Sequence, residues 1–419
     1  MCFMECIVRQ KKNFNISFTL PGSKSAAARA ALLGALSDGI SVLHNIPTCR
    51  DFSVMISALN TLGFSTDAES GKIIITGTGG KILSTGTEIS AEENGTALRL
   101  FTAFCTLGNG KFVIDGTSRL RQRPVKPLAD ALNNLGAKAT CSGDGAPVTI
   151  EANGLPGGET QIDCSVSSQF LSALLLASPF SESGVKIHVK NLVSRPYVDI
   201  TVDLMRRFGI QFDTVTEDIF KIPGRQHAKA TDITIESDAS SAAYFFAAAA
   251  LCEGRARILN LSSSSLQADV QFVGLLERMG AEVECGGDFI EVCGTGAFTG
   301  IEADLSDFPD SVPVLAAIAP FASSPTLIKN VPHLRLKESD RIAAMQQELE
   351  RCGVKVESGP DWLKIHPSEV RGAAVQSHND HRIAMAMSVL GLRAGGVTIE
   401  GAECVAKSFP EFFEYIERI

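Results

Sequence analysis

A pattern that recurs every 70 to 73 residues most constrains the fold of this 419-residue chain. Each copy joins a helix-like stretch to a glycine and then to a run of alternating apolar and polar residues. Glycine suits the left-handed position just beyond a helix, and the alternation predicts a strand. The copies are separated by 73, 73, 71 and 73 residues. Their glycines are Gly63, Gly136, Gly209, Gly280 and Gly353.

A second series of apolar, alanine-rich helices alternates with the first. Its helices follow small polar or charged residues, with steps of 72, 72, 73, 70 and 70. Each unit therefore holds two helices and several strands, and the chain has room for six such units. The last helix ends where another glycine is due, while the N-terminal strands have no preceding helix, so we expect the two termini to complete one unit. The markers of this series are Lys24, Thr96, Ser168, Ser241, Ser311 and His381.

Six α/β units could form a closed ring, an open solenoid or two groups of three. The chain length favours two domains. A division that keeps both termini together places residues 1–22 and 238–419 in an outer domain and residues 23–237 in an inserted middle domain. A cleft between two such domains is the expected binding site.

Composition excludes several classes of protein. The chain carries 38 Lys and Arg against 47 Asp and Glu, which argues against nonspecific nucleic-acid binding. The longest apolar run, Ala242–Cys252, is too short to span a membrane, and the N-terminus resembles neither a signal nor a transit peptide. The 11 cysteines are scattered without a CxxC pair, and the histidines form no clear ligand cluster. We therefore expect reduced thiols, a cytoplasmic location and no metal site.

Basic residues accompany many of the predicted helix starts. The first N–H groups of a helix lack partners and carry partial positive charge, so anions bind there and cations are unfavourable. Capping by Ser, Thr or Asp is the alternative role for the polar residues, but repeated cations at these positions indicate a substrate with several anionic groups. PGSKS lacks the glycine pattern of a P-loop, and no nicotinamide motif is present. The cations are Lys24, Arg29, Arg123, Arg195, Lys337, Arg341, Arg382 and Lys407.

Ten segments in order along nearly the whole chain carry a family resemblance. The chain resembles the 5-enolpyruvylshikimate-3-phosphate synthases, which are enolpyruvyl transferases. Any one segment is a weak signal, but the ordered set is highly specific. The segments are PGSKSAAARA, NGTALR, RQRP, SVSSQFL, LVSRPYVDIT, SDASSAAYF, FPDSVP, RLKESDR, NDHR and AKSFP.

The resemblance implies two similar domains, each of three βαβαββ-type units, with the active site in the cleft between them. It also implies the reaction: the enolpyruvyl group of phosphoenolpyruvate moves to the 5-hydroxyl of shikimate 3-phosphate, and phosphate leaves. The reaction belongs to the shikimate pathway of aromatic amino acid biosynthesis. It requires neither a metal nor an organic cofactor, and the expected partners are the two small-molecule substrates alone, bound by a monomer.

The resemblance also assigns roles by motif. Glu338 is expected to move the proton at the methylene carbon, and Asp310, assisted by Lys337, the proton of the hydroxyl; Lys24 is the fourth catalytic residue. The residues implied for phosphoenolpyruvate are Lys24, Gly95, Arg123, Lys337, Arg341, Arg382 and Lys407. Those implied for shikimate 3-phosphate are Lys24, Ser25, Arg29, Ser167, Ser168, Gln169, Ser194, Tyr197, Asp310, His333 and Lys337.

The chain departs from the family pattern without losing a catalytic group. We expect the departures to alter affinity for phosphoenolpyruvate and for glyphosate, which competes with it in this family. The departures are Glu93 and Leu100 around the NGTALR segment, His333 in place of Asn, Arg195 in place of Lys, and the pair Ala27–Ala28.

Two alternatives remain open at the level of sequence. One is the sister transferase that acts on UDP-N-acetylglucosamine, against which stand the Ser167–Gln169 triplet and the absence of cysteine from Gly116–Gln122. The other is a noncatalytic, anion-binding repeat scaffold, which would have no need of Lys337–Glu338, Asp310 and Asp380–Arg382 together.

Overall fold

The computed structural model describes residues 4–419. Its contacts group the chain into two units. Unit 1 comprises the chain up to Pro21 together with Glu236–Ile419, and unit 2 comprises Gly22–Ile235. That the units are separate domains, divided near residues 22 and 237, stays a prediction.

Unit 1 begins with two short strands. These are β1 (Glu5–Val8) and β2 (Asn15–Thr19). Alternate residues of β2 are buried, as the pattern of alternating polarity requires.

Unit 2 then contains three successive repeats. The first holds α1 (Lys24–Leu36), β3 (Ser37–Asp38), β4 (Ile40–His44), α2 (Arg50–Thr61), β5 (Ser65–Glu69) and β6 (Lys72–Thr76). The second holds β7 (Gly86–Ser90), α3 (Gly95–Phe104), β8 (Asn109–Asp115), α4 (Ser118–Arg121), α5 (Lys126–Asn134), β9 (Ala139–Ser142) and β10 (Gly145–Asn153). The third holds β11 (Gly158–Asp163), α6 (Gln169–Ala177), β12 (Val185–Lys190), α7 (Pro196–Arg207), β13 (Thr214–Val215) and β14 (Ile219–Ile222), followed by β15 (Ala228–Lys229) and β16 (Asp232–Thr234).

The remainder of unit 1 repeats the same order. Its first repeat holds α8 (Ala239–Leu251), β17 (Arg255–Leu259), α9 (Phe272–Met279), β18 (Glu282–Cys285) and β19 (Phe289–Cys293). The second holds β20 (Glu302–Asp304), α10 (Val312–Ile318), β21 (Thr326–Lys329), α11 (Arg341–Arg351), β22 (Val356–Ser358) and β23 (Leu363–Ile365). The last holds β24 (Ala374–Gln376), α12 (His381–Ala394), β25 (Val397–Glu400) and α13 (Phe412–Glu417).

Six sheets within residues 4–419 share one topology. Each has a parallel strand pair, and the second strand of that pair also runs antiparallel to a further strand. A parallel pair needs a crossover connection, which a helix of the alanine-rich series supplies in four of the six repeats. The predicted α/β fold of six βαβαββ-type units is confirmed. The orders are β16-β4-β6-β5, β7-β8-β10-β9 and β11-β12-β14-β13 in unit 2, and β2-β17-β19-β18, β20-β21-β23-β22 and β24-β25-β1 in unit 1.

The other two repeats take their first strand from a distant part of the chain. β2 directly precedes α1 in sequence but pairs in parallel with β17 of unit 1. β16 directly precedes α8 but pairs in parallel with β4 of unit 2. At each crossing of the chain between the units, the strand that precedes a helix in sequence therefore belongs to the sheet of a different repeat.

The N- and C-terminal segments complete one repeat, as predicted. β1 pairs antiparallel with β25, with Glu5 opposite Glu400 and Val8 opposite Val397. Near the chain end, the Lys11 ammonium donates to the carbonyl of Ile419 at 2.9 Å.

The five glycines of the repeat lie where the sequence predicts. Each follows a helix within two residues and has a positive φ between 81° and 115°. An L-residue with a side chain rarely adopts this conformation, so glycine is needed to end the helix.

The alanine-rich helices form the interior of each unit. In α8 all residues but Ser240 are buried, and in α12 all but two are. Small side chains on every face let neighbouring helices and sheets approach from all sides. Each unit has its own apolar core, and within residues 4–419 no helix is long and apolar enough to cross a membrane.

Candidate active site

Five of the six alanine-rich helices begin five or six residues after the carboxyl end of a parallel strand, and the sixth, α10, begins eight residues after β20. α3, for example, begins at Gly95 after β7 ends at Ser90. In open α/β folds ligands bind beyond the carboxyl ends of parallel strands. About half of the residues assigned by motif lie in these connections or in the first turns of these helices.

Lys24 is held at the start of α1 by contacts from two neighbouring elements. Its ammonium lies 2.7 Å from Oδ2 of the buried Asp51, on α2. The side-chain amide of Asn94 donates to the Asp51 carbonyl at 2.8 Å. The same Asn94 caps α3 by accepting from the N–H groups of Thr96 and Ala97. The starts of α1, α2 and α3 therefore form one hydrogen-bonded group.

Gln169 connects the starts of α3 and α6. Its Nε2 donates to Thr96 Oγ1 at 3.0 Å, and its Oε1 accepts from the Arg99 guanidinium at 2.7 Å. Arg99 also donates to the Pro124 carbonyl at 3.1 Å and lies over the Phe170 ring at 5.1 Å. The amide of Gln169 is thereby fixed in orientation.

Arg29 lies inside unit 2, with only 1% of its surface exposed. Its Nε donates to Thr201 Oγ1 at 2.7 Å, and its other nitrogens donate to the Ser25 carbonyl and to Ser172 Oγ. Burial lowers the pKa of this guanidinium to about 10. Arg29 therefore ties α1 to α6 and α7, and its predicted direct contact with a substrate stays a prediction.

Gly95 and Arg123 lie against each other. A Cβ added to Gly95 would come within 2.6 Å of the Arg123 guanidinium. A glycine here lets that guanidinium cover the first turn of α3, where partial positive charge already attracts anions.

The remaining residues assigned to unit 2 lie at the starts of α6 and α7. The Ser167 hydroxyl accepts from the Gln169 N–H at 3.3 Å, and Ser168 is buried. Ser194 has a φ of 51°, and its carbonyl accepts from the N–H of Tyr197. A non-glycine residue with positive φ is strained, and such strain occurs often at functional sites.

Arg341 is the centre of the corresponding cluster in unit 1. It begins α11, is 1% exposed, and donates to three carboxylates. Nη1 lies 2.8 Å from Asp310 Oδ1, Nη2 2.9 Å from Glu338 Oε2, and Nε 2.8 Å from Oδ2 of Asp380, which is fully buried. Burial by itself would lower the pKa of Arg341, but Asp380, Glu338 and Asp310 outweigh that effect and raise it.

Asp310 lies between two arginines. Its Oδ2 accepts from Arg382 Nη2 at 2.7 Å, while its Oδ1 accepts from Arg341. Burial alone would raise the pKa of Asp310, but the charges of Arg382, Arg341 and Lys337 hold it well below its usual range. The carboxylate is therefore ionised and already hydrogen-bonded.

His333 and Lys337 occupy the segment that precedes α11. His333 is 7% exposed, and burial together with the nearby Lys337 lowers its pKa to about 4. The imidazole is thus neutral near pH 7. Lys407, in the 3-10 helix Ala402–Lys407, is also buried.

Capping explains part of the polar pattern at the helix starts. Asn94, Asp238 and Asp380 accept from N–H groups of α3, α8 and α12, respectively. Among the described residues, no side-chain oxygen of the cap residue plays this role at the starts of α1 or α7. Capping, the alternative role of the polar residues, is thus observed for Asn94, Asp238 and Asp380. At the start of α7 the N–H groups of Tyr197 and Val198 donate to the carbonyls of Ser194 and Arg195.

Some residues of the two clusters were not found by sequence reasoning. Asp51 and Asp269 lie in no recognised motif, and neither gave a signal beyond its charge. Asp380 lies in a recognised motif but was given no role. Arg195 forms an ion pair with Asp199 one turn on, at 2.9 Å, as a surface arginine would. Leu100 is 1% exposed and belongs to the core, so it can affect a ligand only through packing.

Two solved structures share the fold of this chain. The enolpyruvyl transferase NikO from Streptomyces tendae has the same fold, with a TM-score of 0.80 over 99% of this chain and 97% of its own, at 18% identity. The EPSP synthase of Acinetobacter baumannii superimposes with a TM-score of 0.85 over 99% of this chain and 98% of its own, at 27% identity.

Sequence comparison then identifies the family. Residues 8–416 match the family described as EPSP synthase (3-phosphoshikimate 1-carboxyvinyltransferase). The 3-phosphoshikimate 1-carboxyvinyltransferase of Trichormus variabilis is 40% identical over 399 residues, which cover 94% of each chain. That of Sulfurovum sp. is 40% identical over 408 residues, covering 96% of this chain and 95% of its own. The chain belongs to the EPSP synthase family.

Proposed function

We propose that this chain transfers the enolpyruvyl group of phosphoenolpyruvate to the 5-hydroxyl of shikimate 3-phosphate and releases phosphate. The reaction is a step of the shikimate pathway of aromatic amino acid biosynthesis. The observation that carries the proposal is the buried cluster in which Arg341 and Arg382 hold the Asp310 carboxylate. The family membership of the chain agrees with it.

The two substrates explain why the site residues are mostly cations and helix starts. Each substrate carries a phosphate and a carboxylate, so four anionic groups must be neutralised. Arginine offers a planar fork for such groups, and lysine offers a movable point charge. In this proposal the first turn of α1, where the cap residue accepts no hydrogen bond with its side chain, supplies further N–H donors.

The reaction needs proton transfer at two sites: the methylene carbon, which gains a proton in the addition and loses one in the elimination, and the 5-hydroxyl, which loses its proton. A proton is added to the methylene carbon, the adjacent carbon becomes cation-like, and the 5-hydroxyl attacks it. Loss of a proton and of phosphate from the tetrahedral intermediate restores the vinyl ether. We assign the methylene proton to Glu338 and the hydroxyl proton to Asp310, with Lys337 and Lys24 balancing the developing charge.

The low pKa of Asp310 makes it a weak base until a substrate arrives. A phosphate or carboxylate bound by Arg341 and Arg382 would share their charge and would add negative charge beside Asp310. Both effects raise the pKa of the carboxylate. In this proposal, binding of phosphoenolpyruvate therefore activates the base.

The two clusters belong to different units, so the proposal requires that they face one substrate pair. Lys24, Gly95, Arg123 and Gln169 belong to unit 2, and Asp310, Glu338, Arg341 and Arg382 to unit 1. Anionic substrates would bridge the two sets and draw the units together. Small-angle scattering should show compaction when both substrates are added, and an unchanged radius of gyration would contradict this arrangement.

One assay distinguishes the three candidate functions. Phosphate release from phosphoenolpyruvate is measured with shikimate 3-phosphate and then with UDP-N-acetylglucosamine. Release with shikimate 3-phosphate alone is expected. Release only with the UDP-sugar would favour the sister transferase, and release with neither would favour an anion-binding scaffold.

We expect Gly95→Ala to weaken binding of phosphoenolpyruvate with little effect on stability. The added methyl group meets the end of the flexible Arg123 side chain, which can move aside without disturbing the core. The displaced guanidinium no longer covers the helix start, so KM for phosphoenolpyruvate should rise about tenfold, as expected for loss of a charged hydrogen bond of 1.5 kcal/mol or so. KM for shikimate 3-phosphate and the Tm serve as internal controls; a fall in Tm with unchanged KM would contradict this reading.

Location and assembly are proposed as cytoplasmic and monomeric. The ten cysteines described in the structure are free, which supports a reducing compartment. Light scattering coupled to size exclusion tests the monomer, and a mass of twice 44.5 kDa would contradict it.

A further inference from the structure

A buried carboxylate outside all the recognised motifs lies next to the cluster of unit 1. Asp269 is 4% exposed and belongs to the 3-10 turn Ala268–Gln271. Its Oδ1 accepts from Ser311 Oγ at 2.6 Å, and its Oδ2 accepts from Ser240 Oγ at 2.9 Å. The carboxylate therefore joins the start of α8 to the turn that precedes α10.

Ser311, which donates to Asp269, is the residue next to Asp310. Both lie in the three-residue 3-10 turn Pro309–Ser311, which is too short to fix a side chain through its own backbone hydrogen bonds. Asp269 holds this turn through Ser311, while Arg341 and Arg382 hold the carboxylate that the turn presents.

The segment that carries Asp269 is itself anchored on α8. The neighbouring Gln267 accepts from the N–H of Ala239 at 3.0 Å and donates to the Ser237 carbonyl at 2.9 Å. Asp269 is therefore held in a fixed position relative to the start of α8, and through Ser311 it holds the turn that carries Asp310.

We infer that Asp269 is a positioning residue for Asp310, acting through Ser311 and through the negative charge that it places beside the Asp310 carboxylate. The inference rests on the proposed function, in which Asp310 is the base.

The electrostatic part has a definite sign. Burial raises the pKa of Asp269, and the charge of Asp310 raises it further, while Arg382 and the two serine hydroxyls oppose both. The interaction between the carboxylates is mutual, so Asp269 also raises the pKa of Asp310. Removing that charge should make Asp310 a still weaker base.

The test is Asp269→Asn, compared with Ser311→Ala and with the double variant. We expect Asp269→Asn to lower kcat about 10- to 100-fold, the range for a slightly misplaced catalytic group, and to move the acid limb of the pH profile of kcat to lower pH. Ser311→Ala keeps the charge, so it should lower kcat without moving that limb. Both changes break the same hydrogen bond between Asp269 and Ser311. The double variant should therefore lower kcat no more than the more damaging of the two single variants does.

Controls separate a failure of this inference from a failure of the function. Wild-type phosphate release establishes the activity, and Asp304→Asn, an exposed carboxylate of the same unit, should leave kcat unchanged. If circular dichroism shows that Asp269→Asn is unfolded, Ser240→Ala and Ser311→Ala each remove one hydrogen bond to Asp269 and test the inference instead. Each should lower kcat about 10- to 100-fold. A wild-type kcat in the variants, or an unmoved acid limb in folded Asp269→Asn, would overturn the inference.

Discussion

Arg341→Met is expected to abolish measurable phosphate release and to lower the free energy of unfolding by about 3–5 kcal/mol, the usual cost of breaking a buried ion pair. The guanidinium donates to Asp310, Glu338 and Asp380 within 2.9 Å, and one of these carboxylates, Asp380, is fully buried and cannot turn to bulk solvent instead. Phosphate release and urea unfolding measure the two effects.

The loss of stability in Arg341→Met should depend on pH in a defined direction. In the wild type the pKa of Asp310 is depressed, so its contribution to stability is complete above the pKa of an unfolded carboxyl, near 4, and is lost as the pH falls. The variant keeps the carboxylates without their cation, so protonation relieves them. The deficit relative to the wild type should therefore be largest at neutral pH and smaller near pH 4.

A control variant tests whether the effect belongs to the site. Arg278→Met removes an exposed arginine of α9 in the same unit and should change stability by less than about 0.5 kcal/mol. Equal losses in Arg278→Met and Arg341→Met would show that the cluster has no special contribution.

Asp310→Asn and Glu338→Gln are expected to lower kcat by about 10²- to 10⁴-fold each, the contribution of a general acid or base. The amides keep the shape and an acceptor oxygen but cannot carry a proton. Exchange of the methylene protons with solvent separates the roles. Exchange per turnover should fall in Glu338→Gln and should be preserved in Asp310→Asn.

The control for this pair is again taken from exposed positions. Glu302→Gln and Asp304→Asn in β20 should retain wild-type kcat. An equal fall of exchange per turnover in both site variants would contradict the division of roles between Glu338 and Asp310.

Sequence reasoning predicted the fold because the fold repeats. A single glycine after a helix is a weak signal, but five at nearly constant spacing define the unit, and all five have a positive φ. The pairing of β1 with β25 followed from the missing elements at each end of the chain. The exchange of β2 and β16 between sheets was not predicted, because neither strand carries a mark of its partner in its own residues.

The sequence indicated which residues to expect in the candidate site, which stays a prediction, but it did not indicate their contacts. The motifs supplied Asp310, Arg341 and Arg382, yet nothing in the sequence indicated that the arginines would neutralise the carboxylate directly. Nor did the sequence indicate the hydrogen bonds of the buried Arg29 to Thr201 and Ser172, while its contact with a substrate stays a prediction. Asp51 and Asp269 were missed because the sequence does not show which residues lie next to an isolated carboxylate in the folded chain.

The pairing of strands that are distant in sequence also sets the order in which the sheets can form during synthesis on the ribosome. β2 has no sheet partner until β17 has been made, and β1 has none until β25 has been made. At roughly 5–20 residues per second, the N-terminal strands remain without partners for tens of seconds. The repeats of α3 and α6, whose strands all come from nearby sequence, can form during that interval. The nascent chain must therefore keep β1 and β2 from premature pairing, and the charged and polar residues between them, in Arg9–Asn15, suit that requirement.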